Sequence, residues 1–78
     1  MNRQQELALD VLAAVCKRDR ASIKPEQDLA ADLGVDSPKA LHLLTELEDT
    51  LKIEFADEDA ARMVTVNDIL VFVAKPQA

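Results

Sequence analysis

Ser37 is the residue best placed to do chemistry: it closes the run Asp32-Leu33-Gly34-Val35-Asp36-Ser37 and is followed by Pro38. A Ser-Pro step reads as a helix start. Ser is a preferred N-cap, and Pro38 fits the first turn, where its missing N–H costs nothing; the proline also pushes Ser37 out of helical geometry. A helix N-terminus offers free backbone N–H groups and the positive end of a dipole, so a phosphodiester built on the Ser37 hydroxyl would be electrostatically welcome. Gly34 frees the backbone just before it, and Asp36 adds an acid that could orient an incoming enzyme or a metal-bound donor. Without its surroundings, a capped serine is ordinary.

The other reactive side chains do not assemble into a site. Cys16 is the single cysteine, which rules out an internal disulfide and reads as a small apolar side chain on a helix; with one histidine, His42, there is no metal-ligand set. His42 has no nucleophile or second base placed beside it. Asp57 and Asp59 invite a calcium-loop reading, but the sixth position of such a loop is Arg62 rather than Gly and no glutamate stands at the twelfth. No pair of positioned acid, base and nucleophile emerges, so an enzyme is not expected.

Four helices must position Ser37. Leu7, Val11 and Val15 recur at four-residue steps beside Ala8 and Leu12, which predicts a first helix over about 4–17. Residues 19–36 lose that period and collect Asp19, Ser22, Pro25, Asp28, Asp32 and Gly34, with Ile23, Leu29 and Leu33 as anchors into the core. Connections this long are uncommon in compact domains unless they serve a function. A second helix is expected over about 38–52, capped by Ser37, with Leu41, Leu43, Leu44, Leu47 and Leu51 on the core side and Glu46, Asp49 and Lys52 opposite. Residues 57–62 begin with acids and end on Arg62, matching a short third helix. Thr65 and Asp68 resemble a capping box for a fourth helix over 66–74, stopped by Pro76, after which the last residues should fray.

Length and charge bound what such a bundle can be. Seventy-eight residues make one domain, 1–78, with no room for a separate catalytic one. The formal charge is −6 and is unevenly spread: residues 1–24 hold five basic against three acidic residues, and residues 25–78 four against twelve. An acidic chain with only two aromatic residues argues against nucleic acid, which needs cations at phosphates and rings for bases. It also argues against anionic membranes and for basic protein partners. The longest apolar runs, 11–16 and 69–74, are far short of a membrane span or signal-peptide core, so the chain reads as cytoplasmic and monomeric.

With its run Asp32-Leu33-Gly34-Val35-Asp36-Ser37, the sequence resembles the acyl carrier protein family, whose signature Asp-Leu-Gly-x-Asp-Ser it matches residue for residue. The resemblance spans the chain: an all-α bundle of long, long, short and medium helices, an extended first loop, overall acidity and acids on the second helix and at 57–59. It implies a non-catalytic carrier that holds acyl intermediates as thioesters on a 4'-phosphopantetheine arm attached to Ser37. It further implies that Asp36 helps the phosphopantetheinyl transferase, and that Glu46, Glu48 and Asp49 with Asp57 and Glu58 belong to a docking surface for acyl-loading and acyl-processing enzymes with basic patches.

Three residues depart from the family pattern. Pro38 stands where Leu or Met is usual, Lys39 where an acidic or small residue is usual, and His42 where an acid is common. They turn the upper end of the docking face from negative to neutral or positive, which points to a specialised lipid or polyketide pathway beside or instead of the main fatty-acid synthase. Two neighbouring readings stay open: an aminoacyl or peptidyl carrier, and a carrier-like interaction module that has lost its arm.

Overall fold

In the computed structural model, which describes residues 2–74, the chain forms helices α1 (Arg3–Cys16), α2 (Ser37–Leu51), α3 (Asp57–Ala61) and α4 (Val66–Ala74). The expected stop at Pro76 and the fraying beyond it lie outside the described residues. The bundle is held by aliphatic side chains: Leu12, Leu43, Leu47, Val66, Ile69 and Val73 are almost wholly enclosed. Helix α1 packs against both α2 and α4. Its first turn also ties their backbones, since the Gln4 side chain donates to the Leu51 carbonyl (3.3 Å) and Gln5 to that of Leu70 (3.1 Å). The two phenylalanines lie at the edge of this core, half-buried and stacked with centroids 4.7 Å apart.

Helix ends follow their local chemistry. Asn2 and Gln5 form a reciprocal capping box on α1. Lys17 and Lys52 close α1 and α2 in left-handed geometry, with φ of 55° and 58°, where glycine is the more usual residue. Thr65 and Asp68 exchange hydrogen bonds of 2.9 and 3.2 Å at the start of α4, the box its sequence suggests. Helix α3 ends at Ala61, one residue short of the expected range, with Arg62 as its C-cap.

Two sequence expectations are corrected. The cap of α2 is Asp36, not Ser37: its carboxylate accepts from the Lys39 N–H at 2.9 Å, and Ser37 is the first helical residue. Both residue types favour the N-cap position, and Asp36 takes it with extended backbone (φ −94°, ψ −176°). Leu41 is not on the core side; it is 69% exposed. At 100° per residue it lies more than a quarter turn around α2 from the buried row Leu43, Leu47 and Leu51, a phase difference that spacing by fours conceals.

Candidate functional site at the head of helix α2

The long connection between α1 and α2 is an ordered frame for one residue. A 3-10 turn (Arg20–Ser22), started by the Asp19 carboxylate, leads to buried Ile23. The chain then pairs with the segment before α4: Leu29 N–H donates to the Val64 carbonyl (2.9 Å), Val66 N–H to Gln27 (3.0 Å) and Asn67 N–H to Pro25 (2.9 Å), around an antiparallel bridge between Asp28 and Thr65. Past the bridge, the Asp28 carboxylate accepts from the N–H groups of Ala30 and Ala31, and Asp32 accepts from Asp28 N–H at 2.7 Å. Gly34 ends this turn at φ +68°, a left-handed conformation that a side chain would strain, with its N–H on the Ala30 carbonyl. Leu33 and Val35, on either side of it, are buried.

Every residue of the run 32–36 therefore has a structural task, and Ser37 has none. Its side chain is exposed at the head of a fifteen-residue helix, and among the described residues its hydroxyl makes no hydrogen bond. The backbone donors expected there are largely taken. Lys39 N–H is held by the Asp36 side chain, Ala40 N–H by the Asp36 carbonyl at 2.7 Å, and Pro38 has none. A group on Ser37 thus meets the helix dipole but not a cradle of free N–H groups. Asp36 spends one carboxylate oxygen on the cap; the other makes no hydrogen bond to the described residues.

Beside Ser37 opens a cavity of about 290 Å³ that the sequence did not disclose as a whole. Leu29 from the loop, Leu43 and Leu44 from α2, Met63 and Val64 before α4, and Ile69 on α4 give it an apolar lining, with Ser37 and Asp36 at its polar edge. The lining residues come from four separate stretches of chain, so no local spacing announces it. The arrangement has room for a covalent group on Ser37: its hydroxyl oxygen is free, and an apolar recess lies next to it.

A family model, phosphopantetheine attachment site, matches residues 6–73. The acyl carrier protein of Syntrophobacter fumaroxidans is 37% identical over 70 residues, covering 90% of this chain and 86% of its own. That of Exiguobacterium sp. is 32% identical over 73 residues, covering 90% and 92%.

The chain belongs to the acyl carrier protein family.

A solved structure from Mycobacterium tuberculosis, assigned as an acyl carrier protein, superposes on this carrier with a TM-score of 0.84 at 37% identity, covering 91% of this chain and 95% of that one. As a family member the carrier holds acyl groups on covalently attached phosphopantetheine, and it meets the transferase that installs the arm and the enzymes that process the acyl group.

The sequence-derived docking residues differ in exposure and in the side of their helix that they occupy. Pro38, His42 and Asp49 are exposed and point away from the bundle, together with Leu41 and Thr45. Lys39 and Glu46 sit half-buried on one flank of α2, and Glu48 on the other. The Glu48 carboxylate accepts from Phe55 N–H at 2.8 Å, so it fastens the turn after α2 to the helix. Asp57 and Glu58 are exposed in the first turn of α3. Cys16 is buried at the end of α1, and burial pushes its thiol up against the opposing pull of the Lys39 and Arg18 charges, which leaves it a poor nucleophile.

Proposed function

We propose that Ser37 is the attachment residue of the carrier and that the protein itself catalyses nothing. The observation that carries this is the division of labour in the run 32–37: Asp32, Leu33, Gly34, Val35 and Asp36 cap, bury or turn the chain, while the Ser37 hydroxyl alone is exposed and uncommitted. When attached, the arm supplies a terminal thiol that holds the acyl group as a thioester. Ser37 gives the oxygen of the phosphodiester, and Asp36, with one carboxylate oxygen left over, faces the incoming transferase. The apolar cavity next to Ser37 receives part of the acyl chain, since burying methylene groups is favourable by ~0.8 kcal/mol each. The carrier works as a monomer in the cytoplasm; its charge of −6 keeps copies apart, and no described helix is long and apolar enough to cross a membrane. Its departures at Pro38, Lys39 and His42 support a role in a specialised lipid or polyketide pathway.

The test is an intact-mass measurement after incubation with a phosphopantetheinyl transferase and coenzyme A. One arm should be added to the wild type, localised to Ser37 by peptide mapping, and none to Ser37→Ala. An unchanged mass with several transferases would replace this reading by that of an unmodified interaction module.

A further inference from the structure

A second cavity, of about 210 Å³, lies back to back with the one beside Ser37. Neighbours in sequence line opposite cavities: Ala60 and Ile69 the first, Asp59 and Asp68 the second. Met63 is the one residue common to both linings, so it stands between them. It is half-buried just past α3, with its N–H on the Ala60 carbonyl at 3.2 Å, and its side chain is of the unbranched, readily turned kind that adapts to irregular gaps. Beyond Met63 the apolar wall continues with Val71 and Phe72, the latter backed by its stack on Phe55. Of the three large apolar residues that stand exposed, Val64 (53%) lines the first cavity and Val71 (50%) the second. Apolar surface is thus open to water on both sides of Met63, and covering it is favourable.

We infer that Met63 sets how long an acyl chain the carrier encloses: a chain too long for the first cavity turns the Met63 side chain aside and rests its end against Val71 and Phe72 in the second. The inference rests on the reading above that the first cavity receives part of the acyl chain. Continuity selects this occupant, since the far end of a long chain would reach Met63 from the cavity beside its own attachment oxygen. Charge narrows the choice further. Asp59 and Asp68 outnumber Arg62 around the second cavity, so a saturated, uncharged end fits there and a terminal carboxylate is repelled. The Asp59 carboxylate is held by Ala56 N–H and that of Asp68 by Val64 and Thr65 N–H, which leaves the Met63 side chain as the part free to yield.

The experiment loads wild type, Met63→Ala and Met63→Phe with butanoyl, octanoyl, dodecanoyl and hexadecanoyl arms, using a phosphopantetheinyl transferase and the matching acyl-coenzyme A. Intact mass confirms each product, and cooperative melting of each apo protein shows that it is folded. The terminal methyl of every chain carries carbon-13, so its neighbours are read from nuclear Overhauser effects beside the melting temperature. In wild type the octanoyl methyl should contact Leu43, Leu44 or Ile69, and the hexadecanoyl methyl the Phe72 ring. The hexadecanoyl form should melt about 4 °C or more above the octanoyl form. Met63→Phe, which fills the passage with a stiffer side chain, should keep the gain from butanoyl to octanoyl but lose the further gain and the Phe72 contact. Met63→Ala should bring the Phe72 contact at a shorter chain length than in wild type. A wild-type hexadecanoyl methyl that touches neither Phe72 nor Val71, or one length dependence shared by all three proteins, overturns the inference and leaves the first-cavity reading intact. An octanoyl methyl that touches none of Leu43, Leu44 and Ile69 removes the first-cavity reading and this inference with it.

Discussion

Two walls face each other across the cavity beside Ser37, and they are built differently. The loop wall, residues 28–36, has no regular helix, yet it is pinned by buried Leu29, Leu33 and Val35, by the bridge to Thr65 and by the carboxylates of Asp28, Asp32 and Asp36. The α3 wall is regular, yet it buries no residue fully and is held mainly by its ends, where the Asp59 carboxylate accepts from Ala56 N–H at 3.2 Å. Regular secondary structure is therefore a poor guide to rigidity here. Five residues of helix are too few to be stable without packing, whereas an irregular segment with satisfied polar groups and core anchors is not. The cavity should widen by movement of α3, with the loop as the fixed side.

The largest effect should come from attacking the fixed wall. Leu33 is 2% exposed, and Leu33→Ala should cost about 2–5 kcal/mol, a large share of the stability of so small a domain, read from urea unfolding. A loss below about 1 kcal/mol would mean that the loop wall is no firmer than α3. A middle effect belongs to Asp68, which caps α4 by accepting from Val64 and Thr65 N–H, beside the bridge that Thr65 makes to the loop wall at Asp28. Those bonds hold its carboxyl below the usual range, so its contribution is complete above the unfolded carboxylate pKa of about 4 and is lost as pH falls through the lowered folded value. Asp68→Ala should cost about 1 kcal/mol at pH 7 and progressively less as pH falls below the unfolded carboxylate range; a penalty independent of pH would contradict the cap. The smallest effect is expected at Asp59. Asp59→Ala should change global stability by less than about 0.5 kcal/mol while speeding amide exchange within 56–62, and unaltered exchange there would show that α3 is not the yielding wall.

How much of this was legible depends on the range of the interaction. The helices were readable because Leu43, Leu47 and Val66, Ile69, Val73 repeat with the period that buries one face, and the Thr65–Asp68 box is a three-residue signal. The position of Ser37 at a helix start was readable because the run before it spells out a turn. The exchange of capping roles between Ser37 and Asp36 was not, since neighbouring residues of equal capping preference are separated only by the backbone each adopts. The exposure of Leu41 was available from its phase on the helix wheel and was lost by reading leucines as a stripe. The cavity, the bridge from Asp28 to Thr65 and the withdrawal of Glu48 to Phe55 join residues distant in sequence or across a turn, which periodicity does not encode.

The cap made by Asp36 has a kinetic side. By occupying the donors at the head of α2, it leaves a phosphate on Ser37 without a seat, so an arm attached there would hang from a single covalent swivel. A tether of that kind samples its surroundings freely and presents its thiol to any docked enzyme at an effective concentration set by its length, in the millimolar range for short flexible linkers. The same carboxylate that secures the helix thereby keeps the cargo loose.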